Sequence, residues 1–252
     1  MKSSKFVAVS IALLLFGLLF AGPAVAVESE PQNLPEESEV GTNVETTFEI
    51  TMLYDEFESW TLAAETELTN ATWTVRQLDQ GEGEITRDEF DGQSISQPVD
   101  IEDGTATVEV RVTGTTPQID EFSYDPPQRF LVASFTQERE GGTNRDIATH
   151  ESHHYTPDSK QARQAIDSAQ TTVEGSGSDE AQSSLDSAIS AYEGGNFENA
   201  VDLAERAEGE ASQSQLIRNA LIAGGVVIVV LLLVVVGYRV YKSRQQDTSR
   251  LR

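Results

Sequence analysis

The chain has 252 residues, 42 of them Asp or Glu against 17 Lys or Arg, for a formal charge of −25, and it contains no cysteine. So acidic a surface excludes nucleic acid as a partner, because phosphate binding needs clustered Lys and Arg. Without cysteine there is no disulfide, no thiolate metal site and no lipid-modified cysteine anchor, so stability has to come from a packed core.

An apolar stretch from Phe6 to Phe20, broken only by Ser10, follows Lys2 and Lys5 and precedes Ala24-Val25-Ala26. This order of basic, apolar and small residues predicts a secretory signal over 1–26, cleaved after Ala26. Residues 27–43 are rich in Glu, Pro, Ser and Asn, which predicts a disordered acidic leader. From Val44 the texture changes to a period of two. Phe48, Ile50, Met52 and Tyr54 alternate with Glu49, Thr51 and Leu53, as in a strand with one buried face. Further strands are expected at Trp60 and Leu62, at Trp73 and Val75, and over Ala106, Val108, Val110 and Val112. The nearly all-apolar run Phe130 to Phe135 predicts a central strand buried on both faces. A last strand is expected over Ile147 to Tyr155. Turn-rich stretches separate them, among them Asp79-Gln80-Gly81-Glu82-Gly83, Asp91-Gly92, Asp103-Gly104, Asp125-Pro126-Pro127 and Gly141-Gly142. The pattern predicts an all-β sandwich over 44–156.

All three histidines fall in His150-Glu151-Ser152-His153-His154, which formally contains the His-Glu-x-x-His zinc motif. That chemistry needs a helix, which puts His150 and His154 on one face to bind the metal and leaves Glu151 to activate its water. Thr149, Tyr155 and Thr156 favour a strand instead, and Pro157 closes the segment. No metal or other cofactor is therefore expected. Asn70-Ala71-Thr72 makes Asn70 the candidate glycosylation site.

At Pro157 the period becomes helical. Ala162, Ala165, Ile166 and Ala169 define one helix ending by Gly175. Leu185, Ala188, Ile189 and Tyr192 define a second, and Phe197, Ala200, Val201, Ala204 and Ala207 a third after the turn at Gly194-Gly195. Together they predict a helical stalk over 157–215. Ala220 to Gly237 then carries no polar side chain, and a transmembrane helix is expected over 216–238. Arg239, Lys242, Arg244, Arg250 and Arg252 would mark 239–252 as a basic cytoplasmic tail. Within the expected span, Ala220 and Gly224 have the spacing of a weak homodimer contact.

Several resemblances follow from these residues. The strand pattern resembles an immunoglobulin or fibronectin-type domain, although the immunoglobulin cysteine pair is missing. Ala188, Tyr192, Gly195, Phe197, Ala200 and Ala207 resemble the small and aromatic positions of one tetratricopeptide repeat. The excess of Asp and Glu, with Lys160 the one lysine between 27 and 219, resembles single-pass cell-surface proteins of extremely halophilic archaea. Those resemblances imply a noncatalytic cell-envelope protein, its sandwich outside the membrane and facing a protein partner or glycan. An accessory or sensory subunit of a membrane complex is the alternative, and a zinc-dependent hydrolase the third.

Overall fold

The computed structural model describes residues 26–139 and 141–246, without the side chains of 223–227, 240 and 243–246. The expected signal over 1–26 lies outside the described residues except for Ala26, as does the end of the basic tail from Asp247. The described chain forms two compact units, one of residues up to Ile119 together with Arg129–Tyr155, the other of Asp120–Gln128 together with the chain from Thr156 onward.

Ten strands build the first unit: β1 Glu28–Gln32, β2 Glu37–Glu39, β3 Asn43–Thr51, β4 Ser59–Glu65, β5 Thr69–Leu78, β6 Glu84–Asp91, β7 Ser94–Asp100, β8 Thr107–Thr115, β9 Arg129–Glu138 and β10 Arg145–Tyr155. They form two five-stranded sheets, ordered β1-β3-β8-β5-β6 and β2-β10-β9-β4-β7. Every neighbouring pair is antiparallel except β2 beside β10.

Inward side chains of both sheets make one hydrophobic cluster. Phe48 and Ile50 of β3, Val108, Val110 and Val112 of β8, and Trp73 and Val75 of β5 face Leu62 of β4, Val99 of β7, and Phe130, Val132 and Phe135 of β9. Phe48 meets Phe135 edge to face, ring centres 5.0 Å apart. Both indoles keep their N–H satisfied, Trp60 donating to the Leu53 carbonyl and Trp73 to that of Gly92, each at 2.9 Å. Burying such a ring without a partner would forfeit part of its apolar gain.

Two irregularities explain where simple alternation misleads. Met52 adopts φ 56°, so the inward phase flips after β3, leaving Met52 45% exposed and Leu53 buried. In β9 a bulge opposite the His150/Glu151 step leaves Val132 and Ala133 both buried. The apolar run of β9 therefore comes from a change of phase at a bulge. Leu131 and Ser134 on its other face stay only half buried.

Several expectations are corrected here. Residues 27–43 are not a disordered leader. They supply β1 and β2, edge strands held by backbone pairing to β3 and β10, which requires few apolar side chains of their own. An immunoglobulin or fibronectin sandwich would carry about seven to nine strands. The ten strands and the sheet orders found here, with β6 in one sheet and β7 in the other, do not follow that plan.

The second unit contains three helices among the described residues: α1 Pro157–Glu174, α2 Asp179–Glu193 and α3 Phe197–Gln246. Thr156 caps α1 through a reciprocal box with Ser159, and Ser178 caps α2 by accepting from the Ala181 N–H. Such caps satisfy donors that a helix start leaves open, each worth about 1 kcal/mol. The buried stripes repeat one spacing: Ala162, Ile166, Ala169 and Val173 on α1; Ala181, Leu185, Ala188 and Tyr192 on α2; Ala200, Ala204, Ala207 and Ala211 on α3. Steps of four, three and four residues keep a side-chain row on one helix face, and alanine in that row lets the backbones approach closely. The helices thus share a core with Tyr124. An all-β sandwich on a hairpin stalk is accordingly replaced by two five-stranded sheets followed by a helical unit with a core of its own.

The membrane expectation is corrected as well. Among the described residues no helix is long and apolar enough to cross a membrane. The run begun at Ala220 is not an element of its own; it is the far part of α3, whose earlier turns are charged and packed. The span over 216–238, the membrane as partner, the outside and cytoplasmic assignments and the dimer contact through Ala220 and Gly224 fall with it; Gly224 itself is among the residues whose surroundings are not described.

Candidate functional site

The histidine string lies on β10, and the strand decides what it can do. His150, Ser152 and His154 point to the core side, while Glu151 is exposed and His153 and Tyr155 are half buried on the opposite face. Four residues of strand separate the His150 and His154 backbones by about 13 Å. Each ring has its own aromatic neighbour: His150 lies tilted on Phe48 at 4.8 Å and near Phe135 at 6.0 Å, His154 on Phe130 at 5.3 Å. A helix would have aimed both imidazoles at one ion with Glu151 beside it; this strand separates all three. Among the described residues, no group of three or more His, Cys, Asp or Glu converges as a metal set.

His150 Nε2 sits 3.1 Å from the Ser29 hydroxyl of β1, and burial pushes its imidazole below the ordinary value. The unfolded chain therefore takes up this proton first as pH falls below about 6.5. Stability is lost from there downward, until the folded pKa is passed. Thermal unfolding at pH 7 and pH 5 should show a smaller drop in midpoint for His150→Phe than for the unaltered chain. Equal drops would assign the acid sensitivity elsewhere.

Asn70 is exposed and adopts φ 53°, at a register shift where β5 departs from β8 between Thr69 and Thr72. The side-chain amide of the sequon is thus open to solvent.

Sequence reasoning did not single out one end of the two-sheet unit, where residues 52–58, the β5–β6 turn and the β7–β8 connection meet. An open cleft of about 830 Å³ there is lined by Met52, Leu53, Tyr54, Ile101 and Ala106, with Asp55 and Asp79 among them. Met52 and Ile101 are each 45% exposed. Three devices stiffen the cleft. Tyr54 donates its hydroxyl to the Asp100 carbonyl at 2.9 Å, and burial pushes its pKa up. Asp79 accepts from the Gly81 and Gly83 N–H groups at 2.8 and 2.9 Å. A Cβ at Gly83 would come within 2.8 Å of the Asp79 carboxylate and would push that carboxylate aside. The Asp100 carboxylate accepts from the Glu102 N–H, which, with the Ser59 side chain, holds it below its usual range. On the other side of the turn, Arg76 bridges Glu84 at 2.8 Å and Glu109 at 2.7 Å.

In the helical unit, the most elaborate polar and aromatic arrangement surrounds Tyr124. Its hydroxyl donates to Asp167 at 2.6 Å and lies 3.0 Å from Gln170 Oε1. Burial, then the neighbouring Asp167, drives its pKa far upward, so the phenol stays protonated and a donor. The Arg163 guanidinium stacks 4.7 Å from the Tyr124 ring centre and donates to the Tyr124 carbonyl at 2.5 Å. Tyr192 and Phe197, read in the sequence as repeat-like packing positions, receive Phe122 edge on at 6.2 and 4.7 Å.

No family model matches the sequence, and no curated protein matches it. Among solved structures, the chain is similar to the sporulation control protein Spo0M from Bacillus subtilis, at 12% identity over 57% of this chain and 56% of that one, with a TM-score of 0.30. It is also similar to a DUF4466 family protein from Parabacteroides merdae, at 12% identity over 52% of this chain and 46% of that one, TM-score 0.30. A third is AvmM, described as catalysing macrocyclization in alchivemycin A biosynthesis, at 9% identity over 50% of this chain and 88% of that one, TM-score 0.29. The chain spans little more than half the length of Spo0M. Scores this low carry neither a fold nor an activity across.

Proposed function

We propose that the chain is a noncatalytic binding protein whose two-sheet unit engages a protein partner through the end built from residues 52–58, 79–83 and 101–106. The exposed pair Met52 and Ile101 carries this reading: both line one cleft, at 45% exposure each, on a surface otherwise crowded with carboxylates. Loops on a rigid sheet scaffold are where binding residues collect. Met52 in addition holds a left-handed backbone that costs a non-glycine residue about 1 kcal/mol or more, a strain that places its side chain on the outside. The carboxylates around the apolar pair favour a partner surface with basic groups at its rim.

A photo-crosslinking residue placed in turn at Met52, Ile101 and Arg111 tests this in extracts of the native cell held at native salt. The first two positions should give the same discrete protein adduct, and Arg111, exposed on the first sheet away from the cleft, should not. Equal labelling from all three positions, or none from Met52 and Ile101, would sink the reading.

A further inference from the structure

Residues Asp120–Gln128, with the sequence Asp-Glu-Phe-Ser-Tyr-Asp-Pro-Pro-Gln, belong by their contacts to the helical unit although they lie between β8 and β9 in the chain. They contain no helix or strand of their own. What holds them has the parts of a peptide-recognition site. Main-chain carbonyls are read by Arg163, whose two terminal nitrogens reach Ser123 at 3.5 Å and Tyr124 at 2.5 Å. Two aromatic side chains are anchored: Tyr124, buried, under the Arg163 guanidinium with its hydroxyl on Asp167, and Phe122 against Tyr192 and Phe197. Arg163, Asp167 and Gln170 recur at steps of four and three residues along α1, so they form one row beside the apolar stripe. Gln128 closes the segment by donating to the Tyr192 hydroxyl at 3.4 Å and accepting from the Ser123 N–H at 3.2 Å.

Backbone reading combined with pockets for alternate aromatic side chains is the grammar by which domains recognise extended peptides. We infer that the helical unit is a receptor for an extended Phe-x-Tyr peptide of another protein chain, and that residues 120–128 are its resident ligand, occupying the groove in cis. The ligand chemistry is written in the occupant: a phenyl ring, then two residues on a phenol, with the carbonyls of the middle residue and of the tyrosine open to Arg163. A tethered segment meets its groove at an effective concentration of order millimolar, so the unaltered chain keeps out a competitor present at micromolar levels. Release of the cis segment is what would open the site. This inference is independent of the partner surface proposed for the two-sheet unit.

The test uses the full chain with Phe122→Ala and Tyr124→Ala together, which removes both anchors and leaves the groove intact. The probe is a fluorescent peptide of residues 118–129 of this sequence, followed by anisotropy beside a scrambled control. Binding to the double variant should be saturable and at least tenfold tighter than to the unaltered chain. Adding Arg163→Ala should weaken it at least tenfold, and the scrambled peptide should not bind. Should the double variant lose helical circular dichroism, the probe must restore that signal in proportion to its occupancy. A folded double variant that ignores the probe, an unfolded one that the probe does not rescue, or binding indifferent to Arg163 would overturn the inference.

Discussion

Transfer from molar KCl to 0.01 M salt should lower the thermal midpoint of the two-sheet unit by at least 10 °C. Residues 27–119 and 129–155, which build this unit, carry 26 acidic against 6 basic residues, a formal charge of −20. Among its described residues the bridges that offset this lie at the surface: Arg76 with Glu84 and Glu109, Arg87 with Glu84 at 3.2 Å, Arg111 with Glu45 at 3.5 Å, and Arg145 with Glu56. Such pairs are individually worth up to about 1 kcal/mol. Carboxylates on neighbouring strands repel across distances that a Debye length of about 30 Å at 0.01 M leaves unscreened, and one of about 3 Å at 1 M cuts off. At roughly 2–4 °C per kcal/mol for a unit of this size, 10 °C corresponds to about 3–5 kcal/mol of relieved repulsion. Replacing the exposed Glu65, Glu89 and Glu102 together with Gln should raise the midpoint in dilute salt and leave it nearly unchanged in molar salt. A midpoint indifferent to KCl, or raised equally at both salts by the three substitutions, would show that charge repulsion does not limit this fold. It would also remove the physical ground for the resemblance to proteins of extremely halophilic archaea.

What could be read in advance followed the burial pattern closely. Strands with one clean inward row, such as β8 with Val108, Val110 and Val112, announce themselves by period. So do α1, α2 and the first turns of α3, because their buried rows are continuous, whereas nothing in the pattern announces that α3 runs on to Gln246 as one helix. Elements stabilised by backbone pairing leave no such trace. β6 has no buried residue, and its Arg87, Asp88 and Glu89 resemble a loop. β7 has an inward row of Ile95, Gln97 and Val99, but Pro98 argues against a strand unless it lies at an edge, which it does. Asp91-Gly92 reads as an ordinary turn, whereas Gly92, at φ 114°, is where the chain leaves one sheet for the other. The candidate sites were less legible still. The segment 120–128 reads as a Pro-rich turn, because nothing local to it records that Arg163, 39 residues beyond Tyr124, binds its carbonyls. Met52 reads as one more inward residue of β3, because alternation carries no sign of the left-handed residue that ends it. The His-Glu-x-x-His string shows the converse: a local motif whose meaning depends on whether its backbone is helix or strand.

Ending the chain after Asn219 should convert an aggregating protein into a monodisperse one without loss of either unit. From Ile228 to Val236 every side chain of α3 is apolar and between 52% and 66% exposed. That is one unbroken apolar surface on all sides of a helix, of the kind that a protein in water does not leave uncovered. At about 25 cal/mol per Å² of apolar surface removed from water, covering even a few hundred Å² of it gives several kcal/mol for self-association. The helical core closes before that surface begins. Among the described residues Ala211 is the last buried one, Gln215 donates to the Thr172 carbonyl at 3.3 Å, and Arg218 donates to Ser176 and Gly175 carbonyls at 3.1 Å each. Cutting beyond Asn219 therefore keeps every one of these contacts. Sedimentation velocity in detergent-free molar salt should show large, heterogeneous species for the full chain and a single monomer boundary for the shortened one, with the α1 to α3 helical signal retained in proportion to length. A monodisperse full chain would mean that its own residues cover the apolar end of α3. A shortened chain that still aggregates would move the cause to the two units themselves.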